Sequence, residues 1–195
     1  MKSPREIEIK LKVDNPRALK RRLKEAGFGV VARRHFEGNV VYDFSDSRLR
    51  RSRSLLRLRT EENRHILTFK SPPHASQNYK IRTELETFIK DAATMERILG
   101  ALGLRPIFRY EKYRTAYAEK DQPGEKGEAL LAYDETPIGS YIELEGPARW
   151  IDRTAHRLGF GKPDYITASY AELYQNYCRL EGIKAGNMVF SGHKS

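Results

Sequence analysis

The chain has 195 residues, with 36 lysines and arginines against 26 aspartates and glutamates, for a formal net charge of +10. That length suits one domain with its own core, and the basic excess points to polyanionic partners such as nucleotides, polyphosphate or nucleic acid. A single cysteine, Cys178, excludes an intramolecular disulfide and a cysteine-built metal cluster. No apolar run approaches the ~18 residues of a membrane span, and no signal-peptide core follows Met1-Lys2-Ser3-Pro4, so a soluble cytoplasmic protein is expected.

Glu6-Ile7-Glu8-Ile9-Lys10-Leu11-Lys12-Val13 alternates strictly, which predicts a strand with one charged and one apolar face. Asn15 and Pro16 then start a helix carrying Leu19, Leu23 and Ala26, with a basic outer face and a stop at Gly27. A strand is read at Val40–Phe44, followed by an arginine-dense loop over Arg48–Arg53. Leu55–Thr60 and His65–Lys70 form a hairpin about Glu62-Asn63, the first setting Arg57 and Arg59 on one face, the second Thr68 and Lys70. After a loop at Ser71–Ala75, Lys80, Arg82, Glu84 and Glu86 share a strand face, and a helix runs from the cap Asp91 to Gly103. Lys112 and Arg114 share a face within Phe108–Tyr117, and Asp121–Gly127 reads as a turn. Ala129–Asp134 and Ser140–Glu145 make a second hairpin about Pro137-Ile138-Gly139. Pro147 opens a helix with Trp150, Ile151, Ala155 and Leu158, and a last helix spans Ser169–Leu180. The expected organisation is one domain over residues 1–185 and a flexible tail over 186–195.

Too many strands carry charge on one face and apolar residues on the other for a small flat sheet. About eight of them can close into an antiparallel barrel, which removes the edges. With the apolar faces inward, the amphipathic helices have little to cover. With the charged faces inward, each helix packs its stripe on the outside, and the bore collects acids and bases. The expected fold is therefore α+β, an eight-stranded antiparallel barrel with a charged interior. A linear phosphate chain accompanied by a divalent cation neutralises both signs of charge. Lysine and arginine meet phosphoryl oxygens, and carboxylates hold Mg2+ or Mn2+. Glu6 with Glu8, Glu143 with Glu145, and Asp134 are the candidate carboxylates.

These residues, in order, resemble the CYTH superfamily, the triphosphate tunnel metalloenzymes. Glu6-Ile7-Glu8-Ile9-Lys10 matches the family's Glu-x-Glu-x-Lys. The likeness continues through Leu56-Arg57-Leu58-Arg59, Leu67-Thr68-Phe69-Lys70, Arg82-Thr83-Glu84-Leu85-Glu86, Lys112-Tyr113-Arg114, Asp134 and Tyr141-Ile142-Glu143-Leu144-Glu145. The resemblance implies that Lys10, Arg57, Arg59, Lys70, Arg82, Lys112 and Arg114 bind triphosphate, with Lys10, Arg59 and Lys112 in catalytic roles. It implies that Glu6, Glu8, Asp134, Glu143 and Glu145 hold the metal. Glu84 and Glu86 are read as partners that position neighbouring arginines. One departure is Ala168, where many members carry lysine before the Ser-Tyr of the last helix; Lys162 and Lys184 are the candidate replacements.

A metal-dependent triphosphatase is the preferred reading, because hydrolysis asks less of the site. The same bore serves a class IV adenylyl cyclase, in which the ribose 3′-hydroxyl attacks the α-phosphorus and expels pyrophosphate. A basic module binding nucleic acid or polyphosphate without catalysis is the reading from another class, and it leaves the paired glutamates unexplained. The expected partner is a small triphosphate, with no membrane and no nucleic acid; a homodimer is compatible. His35, His65, His74, His156 and His193 lack metal-ligand spacing and are assigned to surface or loops. Trp150 is assigned to core or barrel cover, and Cys178 to packing.

Overall fold

A computed structural model describes residues 5–119 and 129–192. The opening alternation forms β1 (Arg5–Val13), and Asn15 caps α1 (Pro16–Glu25) by accepting from the Ala18 amide at 3.0 Å. Gly27, with φ +76°, takes the left-handed turn that ends the helix, a conformation a side chain would strain. There follow β2 (Phe28–Phe44), α2 (Arg48–Arg51), β3 (Leu55–Glu61), β4 (Arg64–Lys70), β5 (Lys80–Ile89) and α3 (Ala92–Ala101). The chain continues through β6 (Leu104–Glu119), β7 (Leu130–Thr136), β8 (Gly139–Glu145), α4 (Ala148–Arg157) and α5 (Tyr170–Glu181). The strands close in the order β1-β5-β4-β3-β2-β6-β7-β8, antiparallel throughout.

The expected orientation holds: apolar faces point outward and helices cover them. Ile9, Leu11, Leu131, Tyr133, Ile142 and Leu144 from β1, β7 and β8 meet Leu19 and Leu23 of α1, Ile151 and Ala155 of α4 and Leu158 at its C-cap. Each of these large aliphatics contributes about 1.5–3 kcal/mol by leaving water. A second cluster sets Leu99 and Met95 of α3 on Tyr42, Leu58 and Leu104. Trp150 packs at the edge of the first cluster, and Cys178 is buried, as expected.

Three local expectations are corrected. The strand read at Val40–Phe44 starts at Phe28, because register shifts after Val30, Ala32 and Val41 interrupt the alternation that would have revealed it. Arg48–Arg51 is a helical turn where a loop was expected. Its amides are gathered by Asp43, whose carboxylate accepts from Leu49 N at 3.0 Å and Arg50 N at 2.9 Å. The tail expected to be free from Gly186 is docked over Asn187–Phe190: Met188 is fully buried and exchanges backbone bonds with Arg109 and Glu111. The turn expected at Asp121–Gly127, and His193, lie outside the described residues.

Candidate active site in the barrel bore

The ladder decides which charges meet. Across β1 and β5, Glu6 faces Arg82 and Glu8 faces Lys80; across β1 and β8, Glu8 faces Glu145 and Lys10 faces Glu143. Lys70 faces Glu84, Lys112 faces Glu37, and Arg114 faces Asp134. These side chains converge on a cavity of about 190 Å³. Lys10, Arg57, Arg59, Lys70, Lys80, Arg82, Lys112 and Arg114 line it, together with Glu6, Glu8, Glu84, Glu86, Glu143 and Glu145. Every residue to which the resemblance gives a phosphate, catalytic or metal role is in that lining except Asp134.

Two networks share the bore, joined by Lys10. In the first, Lys70 donates to both oxygens of Glu6 at 2.8 Å, and Lys80 to Glu8 at 2.7 Å. Lys10 Nζ lies 3.5 Å from Glu8 and 3.1 Å from Glu143, which leads into the second. There Lys112 donates to Asp134 at 2.8 Å and lies 3.4 Å from Glu37, while Arg114 grips Asp134 through Nε and Nη2 at 2.7 Å each and also bonds Glu143. Glu86 takes the arginine-pairing role expected of it, accepting from Arg57 at 3.4 Å and from Thr68 at 2.7 Å, whereas Glu84 lies closer to Lys70, at 3.3 Å, than to Arg57, at 3.9 Å.

The titration behaviour follows from this crowding. Burial, aided by Glu8, Glu84 and Glu145, pushes the Glu6 carboxyl up to about 8 although Lys70 opposes it. Burial also resists ionisation of Glu8 and Glu143, yet adjacent ammonium and guanidinium groups outweigh it and hold both well below the usual carboxylate range. Lys70 is pushed up to about 12 against its own burial by Glu8, Glu6 and Glu84. Lys80 is lowered, first by burial and then by Lys10 and Lys70 in excess of the pull from Glu8.

The carboxylates on β1 and β8 fit a divalent cation. Glu8 and Glu145 oppose one another in register, an arrangement of like charges that costs free energy by itself, and Glu6 sits beside them. All three offer hard oxygen donors to the same cavity, the set that Mg2+ or Mn2+ takes. Asp134 differs. It is fully buried behind the lining and accepts four hydrogen bonds, from Lys112 Nζ, Arg114 Nε, Arg114 Nη2 and the Tyr170 hydroxyl. Three of those bonds fall on Oδ2 and one on Oδ1, so Oδ1 keeps acceptor capacity for the metal role implied for Asp134.

Several functional neighbours escaped the sequence reading. Lys80 shares the Arg82 face and was legible by alternation. Glu37 was hidden by the β2 bulges. It is buried, with Oε2 at 3.4 Å from Arg59 Nε and from Lys112 Nζ. Tyr170, the first residue of α5, enters the bore from outside the sheet and packs its ring tilted against Tyr110 and edge-on against Tyr141, which no strand periodicity reports. His35 and His65 lie on strands, half-buried at the barrel surface and not in loops. The fold brings His35, Glu37 and Glu61 ligand atoms within 4.8 Å of one another, though their sequence spacing gives no such signal. Lys162 lies 3.8 Å from Asp152 on the outside; neither it nor Lys184 is in the lining.

A closed antiparallel barrel with external helices and a bore of interleaved cations and carboxylates defines a charged-tunnel protein. The CYTH domain model matches residues 4–153, and the chain belongs to the CYTH family, which holds adenylate cyclases and triphosphatases. A Methanocaldococcus jannaschii protein named "putative adenylate cyclase" is 27% identical over 172 residues, covering 86% of this chain and 97% of the relative. The fold is shared with a Pyrococcus horikoshii protein (TM-score 0.74, 22% identity, 88% of this chain and 99% of the other). It is shared also with a Hippeastrum protein described as a "putative adenylyl cyclase" with a dominant triphosphatase activity (TM-score 0.60, 19% identity, 92% and 97%).

Proposed function

We propose that the chain is a divalent-metal-dependent triphosphatase that takes a linear triphosphate into the bore and releases its terminal phosphate. The observation that carries this reading is the lining itself, in which eight basic side chains from β1, β3, β4, β5 and β6 meet six glutamates in one cavity. A monophosphate needs no such length of cationic wall, and a purely anion-binding groove has no use for the glutamates. Arg57, Arg59, Arg82 and Arg114 present forked donors to phosphoryl oxygens, and Lys10, Lys70, Lys80 and Lys112 act as point charges between them. Glu6, Glu8, Asp134, Glu143 and Glu145 would hold Mg2+ or Mn2+, Asp134 through Oδ1, which accepts a single bond. When bound, the metal neutralises charge on the phosphate and orients the attacking group. Arg114 and Lys112, held from behind by Asp134 and Glu37, keep fixed positions as charge shifts onto the phosphoryl oxygens, which avoids reorganisation during the reaction.

The second reading is cyclisation of ATP to cyclic AMP, favoured by the name of the Methanocaldococcus relative; the activity described for the Hippeastrum protein supports hydrolysis. Incubation with tripolyphosphate, thiamine triphosphate, ATP and GTP, each with Mg2+ or Mn2+, decides between them when orthophosphate, pyrophosphate and cyclic nucleotide are measured separately. Orthophosphate is expected. Cyclic AMP with pyrophosphate would replace the hydrolase reading, and no product from any of the four would end it. In the same assay Glu8→Gln should lose metal-dependent turnover with the fold intact; unchanged kinetics would remove Glu8 from the metal set.

A further inference from the structure

We propose that His35, Glu37 and Glu61 form a second divalent-metal site, built of one imidazole and two carboxylates and suited to a late first-row ion such as Zn2+ or Co2+. The β2–β3 register sets Glu37 directly opposite Glu61, and His35 precedes Glu37 on the same strand. One ligand atom from each lies within 4.8 Å of the others. Two donors on a tetrahedral ion stand roughly 3.4 Å apart when each bond is about 2.1 Å. His35 Nε2 is already 3.7 Å from Glu37 Oε1, so small side-chain rotations close the set. The imidazole separates this site from the all-oxygen carboxylates of the bore, which suit Mg2+.

Two further observations point to an ion. Glu37 is buried, yet its Oε2 accepts no hydrogen bond, Arg59 Nε and Lys112 Nζ both standing 3.4 Å away. An unbonded buried carboxylate oxygen is costly, and a metal bond would satisfy it. His35 Nδ1, for its part, lies 2.9 Å from the Arg33 carbonyl oxygen. That oxygen can only accept, so the neutral ring keeps its proton on Nδ1 and its lone pair on Nε2, toward Glu37. A ring nitrogen bonded to a backbone carbonyl is the usual outer support of a metal-bound histidine. The cations now beside these carboxylates are not stranded by a metal. Arg59 keeps Asn39 Oδ1 at 3.0 Å, while Lys112 and Arg114 keep Asp134 at 2.8 and 2.7 Å. Arg64, 2.9 Å from Glu61 with its side chain 60% exposed, is free to turn to water. Because Glu37 borders both Arg59 and Lys112, an ion held there adds positive charge beside the cationic wall of the bore.

Co2+ titration tests the site, with Mg2+ in large excess to occupy the bore carboxylates and visible absorption following the bound Co2+. The unaltered protein is compared with His35→Gln, Glu61→Gln and Glu8→Gln. Co2+ affinity should fall about tenfold or more in His35→Gln and Glu61→Gln, at least what loss of an outer partner costs, and stay within about twofold in Glu8→Gln. The absorption band should change with the loss of the imidazole donor. Absence of Co2+ binding to the unaltered protein, or unaltered affinity in either His35→Gln or Glu61→Gln, overturns the proposal. A loss of about tenfold in Glu8→Gln overturns it as well, since it would put the ion in the bore. Should a variant not fold, Zn2+ added to the unaltered protein decides by nitrogen–proton correlation NMR: the His35 ring should shift with Nδ1 still protonated, and an unmoved ring refutes the site. No arm contains a phosphate, so its outcome and that of the triphosphatase reading are independent.

Discussion

Glu37→Gln tests the view that the bore is held together by ion pairs and primed for anions by their imbalance. Glu37 is 1% exposed, with Oε2 at 3.4 Å from Arg59 Nε and Lys112 Nζ and Oε1 at 3.7 Å from Arg114 Nε. Burial opposes its charge, but Lys112, Arg114 and Arg59 hold its carboxyl well below the usual range. At an effective dielectric near 20, each 3.4 Å pair is worth ~5 kcal/mol of gross attraction. Desolvation returns part of that, and breaking a buried pair from one side costs about 3–5 kcal/mol net. For a chain of this size that is a fall of roughly 6–20 °C in melting temperature. Because the folded-state pKa is depressed, the stabilisation is present above the unfolded value and is lost as the pH falls toward the folded one. The gap between the two proteins should therefore narrow below about pH 4.3. The variant leaves three cations with one anion fewer, so saturating tripolyphosphate should raise its melting temperature by more than it raises that of the unaltered protein. Calorimetric melts with and without tripolyphosphate measure both quantities. A fall of less than about 3 °C, or a smaller ligand increment in the variant, would refute the reasoning.

Arg59→Glu should weaken tripolyphosphate binding far more than orthophosphate binding in competition calorimetry, and equal losses would argue against a linear row of phosphate sites. Ile151→Ala, on the covering face of α4, should cost about 2–5 kcal/mol of stability while turnover at low temperature stays within about twofold; a folded variant with collapsed activity would give α4 more than a covering role. His35 is raised above its ordinary value, chiefly by its hydrogen bond to Glu37 against its own burial. A raised histidine stabilises below its unfolded pKa, and that contribution disappears as pH rises through the folded one. The melting-temperature advantage of the unaltered protein over His35→Gln should thus be present near pH 6 and gone by about pH 9; an advantage that does not change with pH would exclude this pairing.

The relatives sharpen which part of the chain carries the chemistry. The family match ends at residue 153, before α5, yet Tyr170 reaches the bore and bonds Asp134. The segment beyond the match is therefore part of the site wall, and truncation at the end of α4 would remove it.

Local pattern was enough for much of this protein. Alternation over Glu6–Val13 and its counterparts settles which face of each strand is charged, since strand side chains alternate by chain geometry alone. Asn15, Asp91 and Ser169 mark helix starts because their side chains satisfy amides the helix leaves open. The number of such strands, with helices that needed an apolar surface to cover, implied a closed barrel with its charges inside. What alternation cannot state is who sits across from whom. The register makes Glu8 and Glu145 neighbours and gives Asp134 two cations, while bulges in β2 conceal Glu37. Tyr170 and Met188 come to the barrel from segments with no strand period, one from the start of a helix and one from the chain's tail. Periodicity fixes a direction relative to the local backbone. Pairing, burial and the filling of acceptors depend on distances between segments far apart in the chain, and those exist only once the barrel closes.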